Sequence, residues 1–144
     1  MKTLQRIEIA ADPVALFDLT QDYSRRLDWD PYLKEATLVG GSTAAGLGVR
    51  AWCVARNGFG METRYISFRR PTVCAVEMTR GPRFFRSFSG SWRFEPIGDG
   101  RTRVEFAYNL VGRPGLLTRP LMLLFALDTR RRLAALKRAV EGSG

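Results

Sequence analysis

Six consecutive segments of the chain have the pattern of β-strands, with turn residues between them. The segments cover residues 35–39, 49–56, 61–68, 73–79, 84–95 and 101–110. Two of the turns hold Asn57-Gly58 and Asp99-Gly100, pairs that favour tight hairpins. Because consecutive strands with short links pair with their neighbours, this pattern predicts an antiparallel meander of six strands.

The residues before the meander predict one more strand and two short helices. Residues 3–10 alternate as a half-buried strand does. Asp12-Pro13 then supplies an N-cap carboxylate and a proline for the first helical position, which predicts a helix over residues 14–20. A second short helix is predicted over residues 22–27, before a stop at 29–31.

After residue 115 the apolar period becomes helical again, and a long helix is predicted over residues 121–141. Pro120 suits the first turn of this helix or a break before it. One apolar stripe is formed at steps of three and four by Phe125, Thr129, Leu133, Leu136 and Val140. Basic residues lie mostly off this stripe, where a solvated face is expected: Arg130, Arg132, Lys137 and Arg138.

The apolar face of the predicted sheet is wide and must be covered. One helix about 10 Å across cannot cover it flatly, so the twisted sheet is expected to curl around the helix and leave a gap near one end. The alternative is that Phe, Trp and Met side chains fill this gap. The fold class predicted for the single domain 1–144 is α+β: a curved, seven-stranded antiparallel sheet wrapped on a long C-terminal helix. The two short helices lie between its first and second strands.

Motifs spread over nearly the whole chain carry a resemblance to a known superfamily. They are the stretch 7–17 with Asp12-Pro13, Trp29-Asp30-Pro31, the strand end 68–71 and the helix segment 136–141. They resemble the START-related superfamily, which includes polyketide cyclases and dehydratases, lipid-transfer domains and pollen-allergen-like proteins. The resemblance implies a helix-grip fold that holds a hydrophobic ligand between sheet and long helix. Pocket residues differ widely among such proteins, so no catalytic position carries over.

The net charge of +9 suggests a nucleic-acid partner, but the distribution of the basic residues argues against one. Of the 23 basic residues 20 are arginine, and they are scattered among apolar strand residues. No nucleic-acid partner is predicted, and only a weak attraction to anionic membrane surfaces is expected. No apolar run approaches the ~20 residues of a membrane span, so no stable membrane insertion is expected. Monomer and homodimer both remain open.

The expected location is the cytoplasm. The N-terminus lacks the apolar stretch of a secretory signal. Cys53 and Cys74 fall in predicted strands that another strand separates, so they are predicted to be free thiols, which suit a reducing compartment.

The composition excludes most of the usual catalytic and metal-binding groups. The chain has no histidine, which removes the usual general base and the commonest metal ligand. The two cysteines form no zinc motif, and neither a metal site nor a cofactor is predicted. The carboxylates Asp22, Asp28 and Asp30 are interpreted as caps and as partners of Arg25 and Arg26 rather than as acid/base groups.

The candidate ligand-binding residues are those expected to face the gap: Tyr65, Met78, Arg86, Phe88, Trp92, Phe106, Tyr108, Met122 and Phe125. Arg86 and Tyr108 are also the candidate catalytic residues. An inward Arg86 would hold a carboxylate or enolate, and a tyrosine would donate to a carbonyl. The alternatives are a surface position for Arg86 and an ordinary core position for the tyrosines. Tyr65 and Ile66 face opposite ways, and the sequence leaves the orientation of their strand open.

Two functions fit these residues. The first is the binding of a small hydrophobic ligand (a lipid, a polyketide or an aromatic compound) in the internal cavity, and the absence of a catalytic constellation favours it. The alternative is a polyketide cyclase or dehydratase that folds its substrate and polarises carbonyls without metal or histidine. A third idea is that the basic C-terminal helix docks on a membrane surface or a partner through residues 121–125.

Overall fold

Within residues 2–142, which the computed structural model describes, seven strands and three α-helices follow the predicted order. The strands are β1 (Lys2–Ile9), β2 (Leu33–Leu38), β3 (Arg50–Ala55), β4 (Gly60–Arg69), β5 (Val73–Arg80), β6 (Phe85–Gly98) and β7 (Arg101–Gly112). Two helices separate β1 from β2: α1 (Pro13–Gln21) and α2 (Arg26–Trp29). A 3₁₀ turn at Gly115–Leu117 leads into the long helix α3 (Thr118–Glu141).

The strands form one antiparallel sheet in the order β1-β7-β6-β5-β4-β3-β2. The predicted meander from β2 to β7 is confirmed, and β1 adds to its edge with Ile7 opposite Val104. Asp99 and Gly100 both have positive φ, 57° and 69°, as a tight turn between β6 and β7 requires. The sheet curls around α3, so the predicted helix-grip architecture is also confirmed.

Alternation along the strands decides which side chains reach the concave face. In β7 the predicted inward set is buried throughout: Thr102, Val104, Phe106, Tyr108 and Leu110. In β4 Tyr65 is buried, whereas Ile66 is 48% exposed on the outer face. This resolves the orientation that the sequence leaves open, and Tyr65 faces the interior. Cys53 in β3 and Cys74 in β5 are free thiols separated by β4, as predicted.

The long helix lies on β1 and β7 through its predicted stripe. Thr129, Leu133 and Leu136 are buried, and Phe125 and Val140 are half-buried. The helix begins at Thr118, three residues before the predicted start, with Pro120 in its first turn. None of the helices in residues 2–142 combines the length and hydrophobicity that crossing a bilayer requires.

Hydrogen bonds tie both halves of α3 to the sheet. Near its C-terminal end, Lys137 Nζ donates to the Glu8 carbonyl at 2.7 Å. The Ala10 amide donates to the Glu141 carboxylate at 2.8 Å. In the N-terminal half, the Tyr108 hydroxyl donates to the carbonyl of Met122 at 3.0 Å. The helix is therefore attached at both ends rather than only packed on the sheet.

The short helices differ from their predicted bounds for local reasons. Asp12 caps α1 as predicted, accepting the Ala15 amide at 3.0 Å, and Pro13 is the first helical residue. The predicted second helix over 22–27 is wrong in its bounds. The Asp22 carboxylate accepts the Ser24 amide at 3.0 Å, which stabilises a turn, and α2 begins only at Arg26.

We expect Tyr108→Phe to lower the free energy of unfolding by about 0.5–1.5 kcal/mol, because it removes the buried hydroxyl that donates to the Met122 carbonyl. Urea denaturation of the two proteins measures the change, and equal m-values show that it is a change in stability. A variant as stable as the wild type would contradict this docking role.

Candidate functional site

A largely apolar pocket of about 130 Å³ lies between the concave face of the sheet and α3. One water needs roughly 10–15 Å³ on this measure, so the space exceeds a water-sized packing defect. A depression larger than a water molecule therefore lies where the curled sheet is expected to leave a gap, and an internal ligand cavity stays a prediction. Its aromatic wall consists of Tyr23, Tyr32, Phe59, Tyr65, Phe85, Phe88, Trp92, Phe106 and Phe125.

Five of the nine predicted ligand-binding residues line this pocket: Tyr65, Phe88, Trp92, Phe106 and Phe125. Met78 and Met122 are not among the lining residues, although both pack against the core. Met122 is a buried residue of α3, and its carbonyl accepts a hydrogen bond from the Tyr108 hydroxyl. The binding role of the five lining residues stays a prediction.

Arg86 is exposed and does not face the pocket, so the expectation of an inward Arg86 is wrong. Strict alternation from Phe88 would turn Arg86 inward. The β6–β7 register, however, shifts between Phe85 and Ser87. The extra residue of this bulge reverses the phase, so Phe85 is buried and Arg86 points outward. The surface alternative is the correct one.

Tyr108, the other catalytic candidate, does not line the pocket. Its ring is buried, and its hydroxyl is engaged by the Met122 carbonyl. Burial raises the pKa of this hydroxyl to about 12. The placement therefore favours the alternative of a core tyrosine that holds α3.

Two arginines that sequence reasoning does not single out as binding residues reach the pocket. Arg26 of α2 and Arg132 of α3 both line its wall, and both contact one buried carboxylate, Asp30. The Arg26 Nε donates to Asp30 Oδ2 at 2.9 Å, and the Arg132 Nε lies 3.0 Å from the same oxygen. Asp30 Oδ1 accepts the Tyr32 amide at 2.9 Å. The predicted pairing of Asp30 with Arg26 is confirmed.

The arginines hold Asp30 in its charged form. Burial alone would raise the pKa of this carboxyl, but Arg132 and Arg26 outweigh burial and lower the pKa from its ordinary value. Burial likewise opposes the charge of Arg26, and Asp30 reverses that effect, so the pKa of Arg26 lies above its ordinary value. Asp30 is therefore an ion-pair partner and not an acid near neutral pH.

A second polar group in the wall is fully engaged in hydrogen bonds. The Tyr65 hydroxyl donates to Gln21 Oε1, Gln21 Nε2 donates to the Thr20 hydroxyl at 2.9 Å, and that hydroxyl donates to the Leu16 carbonyl at 2.9 Å. This chain joins β4 to α1. The chain positions Tyr65, and the only proton of the Tyr65 hydroxyl is donated to Gln21.

The remaining titratable groups of the wall are held in their neutral forms. Burial raises the pKa of the Tyr23 hydroxyl and of the Cys74 thiol to about 12 each. Burial also raises the pKa values of Tyr32, Cys53 and Tyr65. Efficient general acid/base catalysis needs a pKa near the working pH, and these shifts lead away from it. The wall is suited to binding and to fixed-charge electrostatics rather than to proton transfer.

A sequence signal for Arg132 exists, although the apolar period alone puts Arg132 with the residues off the stripe. It follows Thr129 by three residues and precedes Leu136 by four, so it borders the buried stripe of α3. Its side chain is only 12% exposed. A charged residue at such a border needs a buried partner, and that partner is more than 100 residues away in the sequence.

Comparisons with known proteins agree with this architecture. A family model described as polyketide cyclase / dehydrase and lipid transport matches residues 2–141. Among curated proteins, none has a sequence significantly similar to this chain.

Similar folds occur in solved structures of low sequence identity. Zhui aromatase/cyclase from Streptomyces sp. R1128 has a TM-score of 0.84 and 16% identity, covering 98% of this chain and 93% of that one. A START superfamily protein from Mycobacterium smegmatis has a TM-score of 0.80 and 16% identity, covering 99% of both chains. A protein from Thermus thermophilus has a TM-score of 0.82 and 18% identity, covering 100% of this chain and 99% of that one. At these identities the likeness concerns the fold.

We expect Asp30→Asn to lower the free energy of unfolding at pH 7 by about 3–5 kcal/mol, because it leaves two buried guanidiniums without their anion. The folded-state pKa of Asp30 lies below 3.8, so this stabilisation is present above that pH and is lost as the pH falls through the folded-state value. The difference between wild type and variant should therefore shrink in acid. Urea titrations from pH 7 to pH 3 measure it.

Asp28→Asn is the matched control for this experiment. Asp28 lies in α2, the helix that Asp30 caps, and its side chain is 70% exposed at 4.0 Å from Arg25. Its change should stay within about 0.5 kcal/mol at every pH. A difference for Asp30→Asn that is small, or that does not vary with pH, would contradict the cluster's role.

Proposed function

The chain belongs to the polyketide cyclase / dehydrase and lipid transport family, and from that premise we propose that it binds a small hydrophobic ligand in the pocket between the sheet and α3. The ligand class is a lipid, a polyketide or an aromatic compound. The observation that carries the proposal is an unfilled space whose wall is largely aromatic and apolar. Such a concave, mostly apolar space with a few polar groups is the usual form of a small-molecule site.

The composition of the wall supports binding in preference to catalysis. Its tyrosines and cysteines have pKa values raised by burial, so they stay protonated at neutral pH. A ligand that buries roughly 300 Å² of apolar surface gains about 7 kcal/mol, against an association cost of roughly 4–15 kcal/mol. Apolar contact alone therefore gives weak binding, and a tight ligand needs a polar anchor or a close fit as well.

A cyclase- or dehydratase-type reaction in the same pocket is the second candidate. The observation that favours it is the position of Arg26 and Arg132 on the wall, because fixed cations stabilise an enolate in a dry site. A linear poly-β-ketone thioester offered to the protein separates the two candidates by mass spectrometry. Recovery of the unchanged compound at the uncatalysed rate favours binding, and an accelerated loss of water or ring closure favours the enzyme.

Attraction to anionic membrane surfaces stays a proposal as well. Leu123 and Leu124 are exposed on the N-terminal half of α3, at 74% and 60%. Arg119 and Arg130 are exposed on the same helix. Exposed leucines beside cations suit an anionic lipid surface, and this helix forms one wall of the pocket.

We expect Val76→Trp to weaken the binding of N-phenyl-1-naphthylamine, an uncharged fluorescent aromatic probe, by about tenfold or more, a cost of at least ~1.4 kcal/mol. Val76 lines the pocket from β5, so an indole at this position occupies the space that the probe needs. Fluorescence titration measures the affinity.

Ile66→Trp is the control for the added indole, because Ile66 faces outward from the neighbouring strand β4. This variant should bind the probe as the wild type does. Equal affinities in all three proteins would show that the probe binds elsewhere, and failure of the wild type to bind any apolar probe, charged or uncharged, would refute the proposed function.

A further inference from the structure

We propose that the ligand of this pocket is a monoanion, an amphipathic carboxylic acid whose carboxylate is bound by Arg132 with Arg26 beside it. This inference rests on the proposed function and specifies the ligand class of the same site. The apolar body of the ligand would lie along the aromatic wall, next to Phe106 and Trp92.

The first argument is the charge balance of the wall. Among the described residues that line the pocket there are two arginines and no carboxylate. Asp30 lies behind them and is shared by both, so two cations have one anion. The side chains of Arg26 and Arg132 are 7% and 12% exposed, so water compensates little of the excess. A buried cation is costly without a partner, and one negative charge from a ligand would balance this site.

The second argument is the supply of hydrogen bonds. Arg26 has partners within the protein: its Nε donates to Asp30 Oδ2, and its Nη1 donates to the Thr20 carbonyl at 3.0 Å. Arg132 is different. Its buried Nε lies 3.0 Å from the same Asp30 oxygen but has no aligned acceptor within the described chain. A guanidinium offers five N–H donors, so Arg132 retains the capacity to bind a planar carboxylate.

The third argument is the support of the guanidiniums by aromatic rings. The Arg132 guanidinium carbon lies 5.0 Å from the ring centre of Tyr32 and 5.9 Å from that of Phe106. The Arg26 guanidinium carbon lies 5.1 Å from the ring centre of Trp29 and 6.0 Å from that of Trp92. The cations are thus held against ring faces, and three of these rings, Tyr32, Trp92 and Phe106, also line the pocket and offer contact surface to the apolar part of a ligand.

Apart from Asp30, the nearby carboxylates of residues 2–142 form no ion pair with the arginines of the wall. Asp128 lies one turn before Arg132 on α3 and attracts it electrostatically, but it borders a separate depression together with Arg131. Within residues 2–142 no ion pair joins Asp128 to Arg132. Glu62 is engaged elsewhere, by Arg50 at 3.4 Å and by Arg80 at 3.3 Å. An excess of one positive charge favours a single carboxylate over a dianionic phosphate.

A matched pair of probes tests the charge preference on the unmodified protein. 2-Naphthoate and 2-naphthamide share the ring system and nearly the same size, and only the first is charged at pH 7. We expect the wild type to bind naphthoate about tenfold to a hundredfold more tightly by isothermal titration calorimetry, the range of a charge-assisted hydrogen bond. Equal affinities would overturn the proposal.

Substitution of Arg132 tests the location of the preference. Arg132→Gln should weaken naphthoate binding about tenfold and change naphthamide binding less than about threefold. Arg130→Gln is the control, because Arg130 is exposed on the same helix, and neither affinity should change. An equal loss for both probes in Arg132→Gln would mean that Arg132 only shapes the pocket. This result would overturn the proposal that Arg132 is the anchor, the residue that binds the carboxylate.

Arg132→Lys covers the case in which the glutamine variant does not fold. Lysine keeps a cation beside Asp30 but lacks the planar fork, so the preference for naphthoate should fall about threefold or more. An unchanged preference in the folded lysine variant would overturn the proposal.

The two proposals fail in different ways. If the wild type binds N-phenyl-1-naphthylamine and shows no preference for naphthoate, the anchor fails and the hydrophobic site stands. If none of the three probes binds, both proposals fail.

Discussion

The arrangement of the pocket depends on one buried ion cluster, Arg26–Asp30–Arg132. Asp30 and Arg26 belong to α2 and its C-terminal cap, whereas Arg132 comes from the middle of α3. The cluster therefore joins the short helices to the long one across the space that the sheet leaves open. Removing three charges from water is costly, and the attraction among them repays this cost only with good geometry. The position of α3 over the sheet is thereby tied to the position of the cations in the pocket wall.

The pocket itself follows from the mismatch between a wide curved sheet and one helix. The helix lies on β1 and β7, at one side of the concave face, whereas residues of β3 to β6 line the pocket. Gly90 of β6 helps to shape the wall. A Cβ atom at this position would lie 3.1 Å from the ring of Phe106, so glycine leaves room for that ring beside β6. The remaining space is a consequence of the architecture, and its chemistry comes from the few polar side chains at its edge.

The architecture could be predicted from the sequence because its signals are local. Alternation in residues 101–110 predicts the buried face of β7, and the Asp12-Pro13 pair predicts the start of α1. The anchor residues could not be assigned in this way. Strict alternation along β6 would turn the side chain of Arg86 inward, but one β-bulge turns it outward. Arg132 has the position of a border residue on a helix, and what turns it inward is Asp30, which becomes its neighbour only in the folded chain.

One physical cause explains both what the pocket lacks and what it offers. Burial raises the pKa values of Tyr23, Cys74 and Tyr65 and so keeps them neutral, which removes them as acids or bases at ordinary pH. The same low-polarity surroundings strengthen every interaction with a fixed charge. Arg26 keeps its charge there because Asp30 lies against it and raises its pKa. A site that is poor in proton transfer and rich in fixed positive charge is chemically matched to holding an anion beside an apolar surface.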